Sequence, residues 1–340
     1  MVYGITTNNN TEAKNHQGSS LPSVSKAEAY EKLLDEFIDS QDVNDNSKRS
    51  YRWAMKEFFN WIQKNGLQLD ALNKVDIFNY KKHLITDPSE ATGKTRTPLT
   101  INAYITALRI FYGWASRNGY YKDIAYKLKP VPTDEAFVKM HLTPEECHSL
   151  LNACKDSSMK NHMRDYAIMR LLLETGIREI EAIRAKIEDI KTLRGRPVLW
   201  IQRKGRVAKD KFVPLLPGTL EALQEYLNTR PLAEPSDPLF VTEGYSPKQQ
   251  GKALSTRSIQ GITKKYMRKI GLDSHEYSGH SLRHTTAVTI IRGGAGLYEA
   301  QKALGHTNPA TTQKYLKSIE RDDMLDNPPT AIVAQMLASN

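Results

Sequence analysis

The chain has 340 residues, with 48 Lys and Arg against 38 Asp and Glu and a formal net charge of +10. Two cysteines exclude a disulfide framework and a Cys-rich zinc site. A mean hydropathy of −0.54, and no apolar run near the ~18 residues that cross a bilayer, exclude a helical membrane protein. Residues 1–50 carry 5 basic against 8 acidic side chains, whereas residues 51–300 carry 39 against 26. The basic surface therefore lies mid-chain, and a polyanion is its natural partner, because each phosphate neutralised releases counterions.

The elements follow in chain order. Residues 1–24, rich in Asn, Ser, Thr and Gly and without an apolar period, read as a tail with no secretory signal. Ser25-x-x-Glu28 is a capping-box pattern opening a helix striped with Tyr30, Leu33, Leu34 and Phe37. Further helices are predicted over about 46–65, 74–85 and 100–118, with a polar loop at 86–98. Residues 25–123 thus make a four-helix domain, and 124–140, with Pro130 and Pro132, a basic linker. Thr143-Pro144-Glu145-Glu146 opens a second domain, 141–326, in which Cys147 and Cys154 fall on a core-facing stripe.

Helices are predicted there near 161–174 and 179–185. The period then changes: Val198–Ile201 and Phe212–Leu215 flank a very basic turn, giving a β-hairpin. Helices resume at about 217–229, 255–270, 281–293, 297–304 and 309–317, and residues 327–340 carry a short apolar helix behind Pro328-Pro329. The fold expected is mainly α with one small antiparallel sheet. Thr92-Gly93-Lys94-Thr95 imitates a phosphate-binding loop, but Pro88 stands where its first glycine belongs. The glycines at 293, 294 and 296 lack a preceding strand and read as a helix–helix turn.

One constellation carries chemistry. It runs Thr175-Gly176-Ile177-Arg178-x-x-Glu181, Lys204 in the hairpin, His280-x-x-Arg283, Leu304-Gly305-His306, and Tyr315 nine residues later. Singly, each has an ordinary explanation as a cap, a solvated cation or a surface ring; order and spacing together do not. The boxes TGIREIE, QRKGR, HSLRHTTAV and LGHTNPATTQKY closely resemble the signature of the tyrosine recombinase (phage integrase) family, over essentially all of 25–320.

The resemblance implies an N-terminal SAM-like core-binding domain and an α+β catalytic domain forming a C-shaped clamp on DNA. It implies a site-specific DNA recombinase of the simple, Xer-like or mobile-element type, since no arm-binding domain fits before Ser25. Tyr315 would attack a phosphodiester to give a 3′-phosphotyrosyl link and a free 5′-hydroxyl. Type IB topoisomerase-like relaxation and a non-catalytic DNA-binding regulator are the rivals.

The residue chemistry agrees with the resemblance. A tyrosine hydroxyl, pKa about 10, is a weak nucleophile, and a phosphodiester anion repels it. Arg178 and Arg283 supply rigid charged forks for the non-bridging oxygens and for charge that grows in the transition state. His306 adds a donor, His280 takes the tyrosine proton or bonds the phosphate, and Lys204 protonates the leaving oxygen, with Lys209 and Lys211 as competitors. Glu181, one turn after Arg178, orients an arginine.

No cofactor and no metal is required. Expected DNA contacts are Lys48, Arg49, Arg52, Asn102 and Arg109 in the first domain, and the 255–269 segment with Ser255, Thr256, Arg257, Lys264, Lys265 and Arg268 in the second. The expected partners are double-stranded DNA with short inverted repeats and three further copies in a tetramer, linked through the C-terminal helix. The expected place is a bacterial or archaeal cytoplasm, at the nucleoid.

Overall fold

The structure, a computed structural model, describes residues 26–90, 92–133, 140–203, 205–242 and 251–338. These form two compact units, one ending at residue 133 and the other beginning at residue 140. No helix among the described residues is long and apolar enough to cross a membrane.

The first unit is four helices: α1 (Lys26–Asp39), α2 (Asp45–Lys64), α3 (Lys74–Thr86) and α4 (Pro98–Arg117). Asn44 caps α2 through the Ser47 amide, and Asn73 with Asp76 forms a capping box on α3. The Thr97 side chain accepts from the Thr100 amide with Pro98 in the first turn, so α4 starts two residues before the position read from the sequence. Phe37, Phe58 and Phe111 are fully buried, and Phe37 meets Phe111 edge-on at 5.4 Å. Such pairs add about 0.5–1.5 kcal/mol to their area burial.

Ala125 and Leu128 join this core, and the Asn102 amide bonds both the N–H and the C=O of Val131. The first part of the expected 124–140 linker is therefore packed on the helices. Apolar residues three apart outweighed the prolines and lysines that suggested a hinge. Residues 134–139, and the predicted Ser25 cap, lie outside the described residues.

The second unit begins with α5 (Pro144–Cys154), held by the Thr143/Glu146 capping box, then α6 (His162–Thr175) and α7 (Glu179–Ile183). Three strands follow: β1 (Ile190–Leu193), β2 (Arg196–Ile201) and β3 (Lys211–Pro214). They form an antiparallel sheet in sequence order, with Leu199 opposite both Ile190 and Val213. The β2–β3 hairpin was expected; β1 was not. Arg194 and Gly195, both at positive φ (50° and 74°), make the tight turn that matches strand twist.

Then come α8 (Pro217–Asn228), α9 (Thr256–Lys269), α10 (Gly279–Ile290), a wide turn over Ile291–Ala295, α11 (Gly296–Leu304), α12 (Pro309–Asp326) and α13 (Ala331–Ala338). Cys154 is fully buried and Cys147 packs against the same core. The α12 helix was read as ending near 317. It continues to Asp326 because no Gly or Pro interrupts it before Pro328. Thr312 and Ser318 are its buried residues, and α13 buries none.

Candidate active site

The site grows from the end of α6. Gly176 closes that helix at φ +61°, where a Cβ would stand 2.6 Å from Leu304 Cδ2. This close approach brings the next residues against the turn after α11. Arg178 follows as the extended residue before α7. Its amide and its guanidinium donate to the two oxygens of Glu181, at 2.8 and 2.9 Å. Glu181 is 1% exposed, so its carboxylate fixes Arg178 from beneath while the arginine side chain stays partly open.

Arg283 arrives from α10 and is 7% exposed. It donates to the Gly176 carbonyl, and to the Leu304 carbonyl at 2.8 Å. Its charge also acts on the Tyr315 hydroxyl, favouring the ionised form. Burial and the neighbouring Arg178 lower its pKa to about 10, which leaves it charged at neutral pH. The motif arginine thus ties the end of α6 to the end of α11.

His306 sits one residue past Gly305, which closes α11 at φ +68°. Its Nδ1 pairs with the Thr312 hydroxyl at 2.9 Å. Burial, then Arg283, Arg178 and Lys211, push its pKa down to about 4, so the imidazole is neutral. Tyr315 lies between two imidazoles, 4.9 Å from the His284 ring and 6.0 Å from His306. Burial raises its hydroxyl pKa, while Arg283 and Arg178 pull the other way. The tyrosine is therefore held protonated and needs a base. His280 is exposed in the first turn of α10, one turn before Arg283.

Arg178, Glu181, Arg283, His306 and Tyr315, the first and last 137 positions apart in the sequence, thus meet in one place. Lys204 lies outside the described residues. Of its two competitors, Lys209 pairs with Asp189. Lys211 donates to the carbonyls of Lys302 and Ala303, and burial lowers its pKa.

Other residues surround the tyrosine that the sequence did not single out. His284 is buried against it, and His141 packs edgewise on His284 at 5.5 Å. His141 faces Asp322 of α12 at 3.6 Å, Arg321 donates to the Met140 sulfur at 3.2 Å, and the Leu142 amide donates to Thr285. The only sequence signal was the second histidine of the HSLRH box. Nothing local pointed to residue 141, which meets α12 through the tertiary fold.

Of the expected DNA contacts, Arg49, Arg109 and Arg257 are exposed and Lys48 is half-buried. Arg109 lines a groove with Arg117 and Lys127. Arg49 also donates to Asn46 Oδ1 at 2.9 Å, and the rest have protein partners too: Arg52 with Asp35, Asn102 with Val131, Lys264 with the Asp273 and Ser274 carbonyls, Lys265 with Asp165, and Arg268 with Asp273. These bonds hold helices and loops together, which the charge pattern alone did not distinguish from DNA contact. Ser255 caps α9 through the Ser258 amide.

Comparison with known proteins gives the family and the fold. Residues 140–321 match the phage integrase family and residues 28–132 the phage integrase SAM-like domain. The chain is 28% identical over 293 residues to a tyrosine recombinase XerD from Xanthomonas axonopodis pv. citri, covering 85% of this chain and 92% of that protein. It is 30% identical over 252 residues to a tyrosine recombinase XerC from Bacillus subtilis, covering 72% and 79%. In fold it is similar to XerH site-specific recombinase bound to a palindromic difH substrate, with a TM-score of 0.65, 20% identity, and coverage of 88% and 85%.

Proposed function

This chain belongs to the phage integrase family and is a tyrosine-type site-specific DNA recombinase, and from that premise we propose how its own residues divide the work. Tyr315 Oη attacks the scissile phosphorus, and its proton passes to His280. The bond from phosphorus to the 5′-oxygen breaks, and Lys204 protonates that oxygen. The 5′-hydroxyl of a partner duplex then attacks the phosphotyrosyl ester, which releases Tyr315 and rejoins the strand.

Arg178 and Arg283 bind the non-bridging oxygens, and neutral His306 donates from Nε2 while Thr312 fixes its Nδ1. The observation that carries this assignment is the clustering of Tyr315 with His306, 6.0 Å away, and with Arg283 and Arg178, whose charges both act on its hydroxyl. A nucleophile and an anion-binding fork in one pocket are the two halves of a phosphoryl-transfer site.

We further propose that four copies assemble on two short inverted-repeat sites, in the cytoplasm at the nucleoid. Exposed Ile332, Val333, Met336 and Leu337 on α13 support packing on a neighbouring copy. Arg49, Arg109 and Arg257 contact phosphates.

A nicked suicide substrate tests the nucleophile. The native protein should form a covalent protein–DNA adduct. Tyr315→Phe should bind the same DNA within about twofold, because one lost hydroxyl barely alters a phosphate-dominated interface, and form none. An adduct with the Phe variant would overturn the assignment.

A further inference from the structure

Among the described residues, the last three carbonyls of α11 have only one backbone partner between them, the Gly305 amide on Lys302. The carbonyls of Lys302 and Ala303 accept from Lys211 Nζ at 3.1 and 3.0 Å, and that of Leu304 accepts from Arg283 at 2.8 Å. Two cations from two different elements, β3 and α10, thus cover the negative end of one helix. Gly305 completes the turn, and a Cβ there would lie 2.7 Å from Lys211 Nζ, so the lysine lies against the glycine itself. His306 is the next residue. Its amide bonds back to the Gln301 carbonyl, and its ring is buried on Thr312. The place of His306 in space is therefore set by how this helix end is held.

We propose that Lys211 is a positioning residue for the recombination chemistry. It staples β3 to the end of α11 and so holds His306, together with Arg283, in the arrangement that receives the phosphate. It is not the group that protonates the leaving oxygen. Two of its three donor positions are engaged by carbonyls of a packed turn, and Lys209 is engaged with Asp189. The acid role thereby stays with Lys204, and this clause rests on the assignment made in the preceding section. The staple also gives the hairpin a second task. Its arm β3 braces the histidine turn, while its tip serves the leaving group.

The experiment compares Lys211→Ala, Lys211→Arg and Lys204→Ala in the full-length protein. Each is given two suicide substrates, one ordinary and one with sulfur replacing the bridging 5′-oxygen. A thiolate leaves without needing a proton, so this substrate restores cleavage to a variant lacking the acid and to no other. Lys211→Ala should lose about 10²-fold in adduct formation, the usual cost of an ångström of misplacement. The loss should be equal on both substrates. Lys211→Arg, which keeps a cation with several donors, should recover most of it.

The His306 imidazole, followed by NMR, should titrate higher in Lys211→Ala than in the native protein, since one of the cations depressing it is gone. Lys204→Ala should be slow on the ordinary substrate and near native on the sulfur one. Restoration of Lys211→Ala by the sulfur substrate, or native cleavage by Lys211→Ala, would overturn the positioning role. Failure of the sulfur substrate to restore Lys204→Ala would instead overturn the acid assignment. The Lys211→Arg recovery and the His306 titration would still stand for the staple.

Discussion

His306 shows how much a single buried ring can report. Its pKa of about 4 lies below the ordinary histidine range because burial and three cations disfavour the charged form. The unfolded chain takes up this proton near pH 6.5 and the folded chain only near 4, so between those values the unfolded state binds more protons. Stability should therefore fall as pH drops through that window, by about 2–3 kcal/mol in all. In a urea-midpoint series from pH 7 to 4, His306→Gln should lose that part of the decline. A remainder should persist, because burial also lowers the His141 pKa. An unchanged decline in the variant would place the acid sensitivity elsewhere.

The candidate-site residues could be picked out in the sequence because their box spacing is conferred by local elements: Arg178 ahead of a short helix, His280 and Arg283 one helical turn apart. The partners that fix them could not. Glu181 is the exception, lying three residues away. Leu304, Gly176 and Thr312 act on Arg283 and His306 through a backbone carbonyl or a hydroxyl, and no spacing rule singles out such groups.

At the scale of elements, the helix ends do the positioning. Gly176 and Gly305 both sit in left-handed backbone with neighbours inside van der Waals distance, whereas Gly66, at φ +65°, faces open space. Alanine at Gly66 should cost about 1–2 kcal/mol, the backbone penalty alone. Alanine at Gly176 should cost about 3–5 kcal/mol, because Leu304 and Thr286 must also move. Thermal unfolding of the two variants would check the difference, and equal shifts would mean that the α6–α11 contact yields freely.

Helix identity and order were readable from apolar periodicity throughout. The strand β1 was not, being four residues long with three of them exposed. The true length of α12 was not either, since its exposed surface leaves only a weak apolar stripe.

For the whole molecule, the informative asymmetry is between a well-buried body and an end that is not. Two separate cores hold the two units, yet every side chain of α13 stays exposed, as do Met324 and Leu325 just before it. Truncation after Asn327 should leave the melting temperature within about 2 °C, because little area is re-exposed. Adduct formation on a single site should persist. Pairing of two sites, measured by gel retardation of a two-duplex complex, should fail. Full pairing by the truncated chain would show that α13 has no partner in the assembly.

The way the chain enters its second unit has a mechanical side. Residues 140–142 are stitched at once to the helix carrying Tyr315 and to the helix carrying Arg283, through Met140–Arg321, His141–Asp322 and Leu142–Thr285. Arg321 and Asp322 lie six and seven residues after the tyrosine, about two turns along one helix. The start of the second unit is therefore anchored on the helix of Tyr315, about two turns from that residue. A substitution at His141 or Arg321 should therefore be felt at Tyr315 as well as at the entry to the unit.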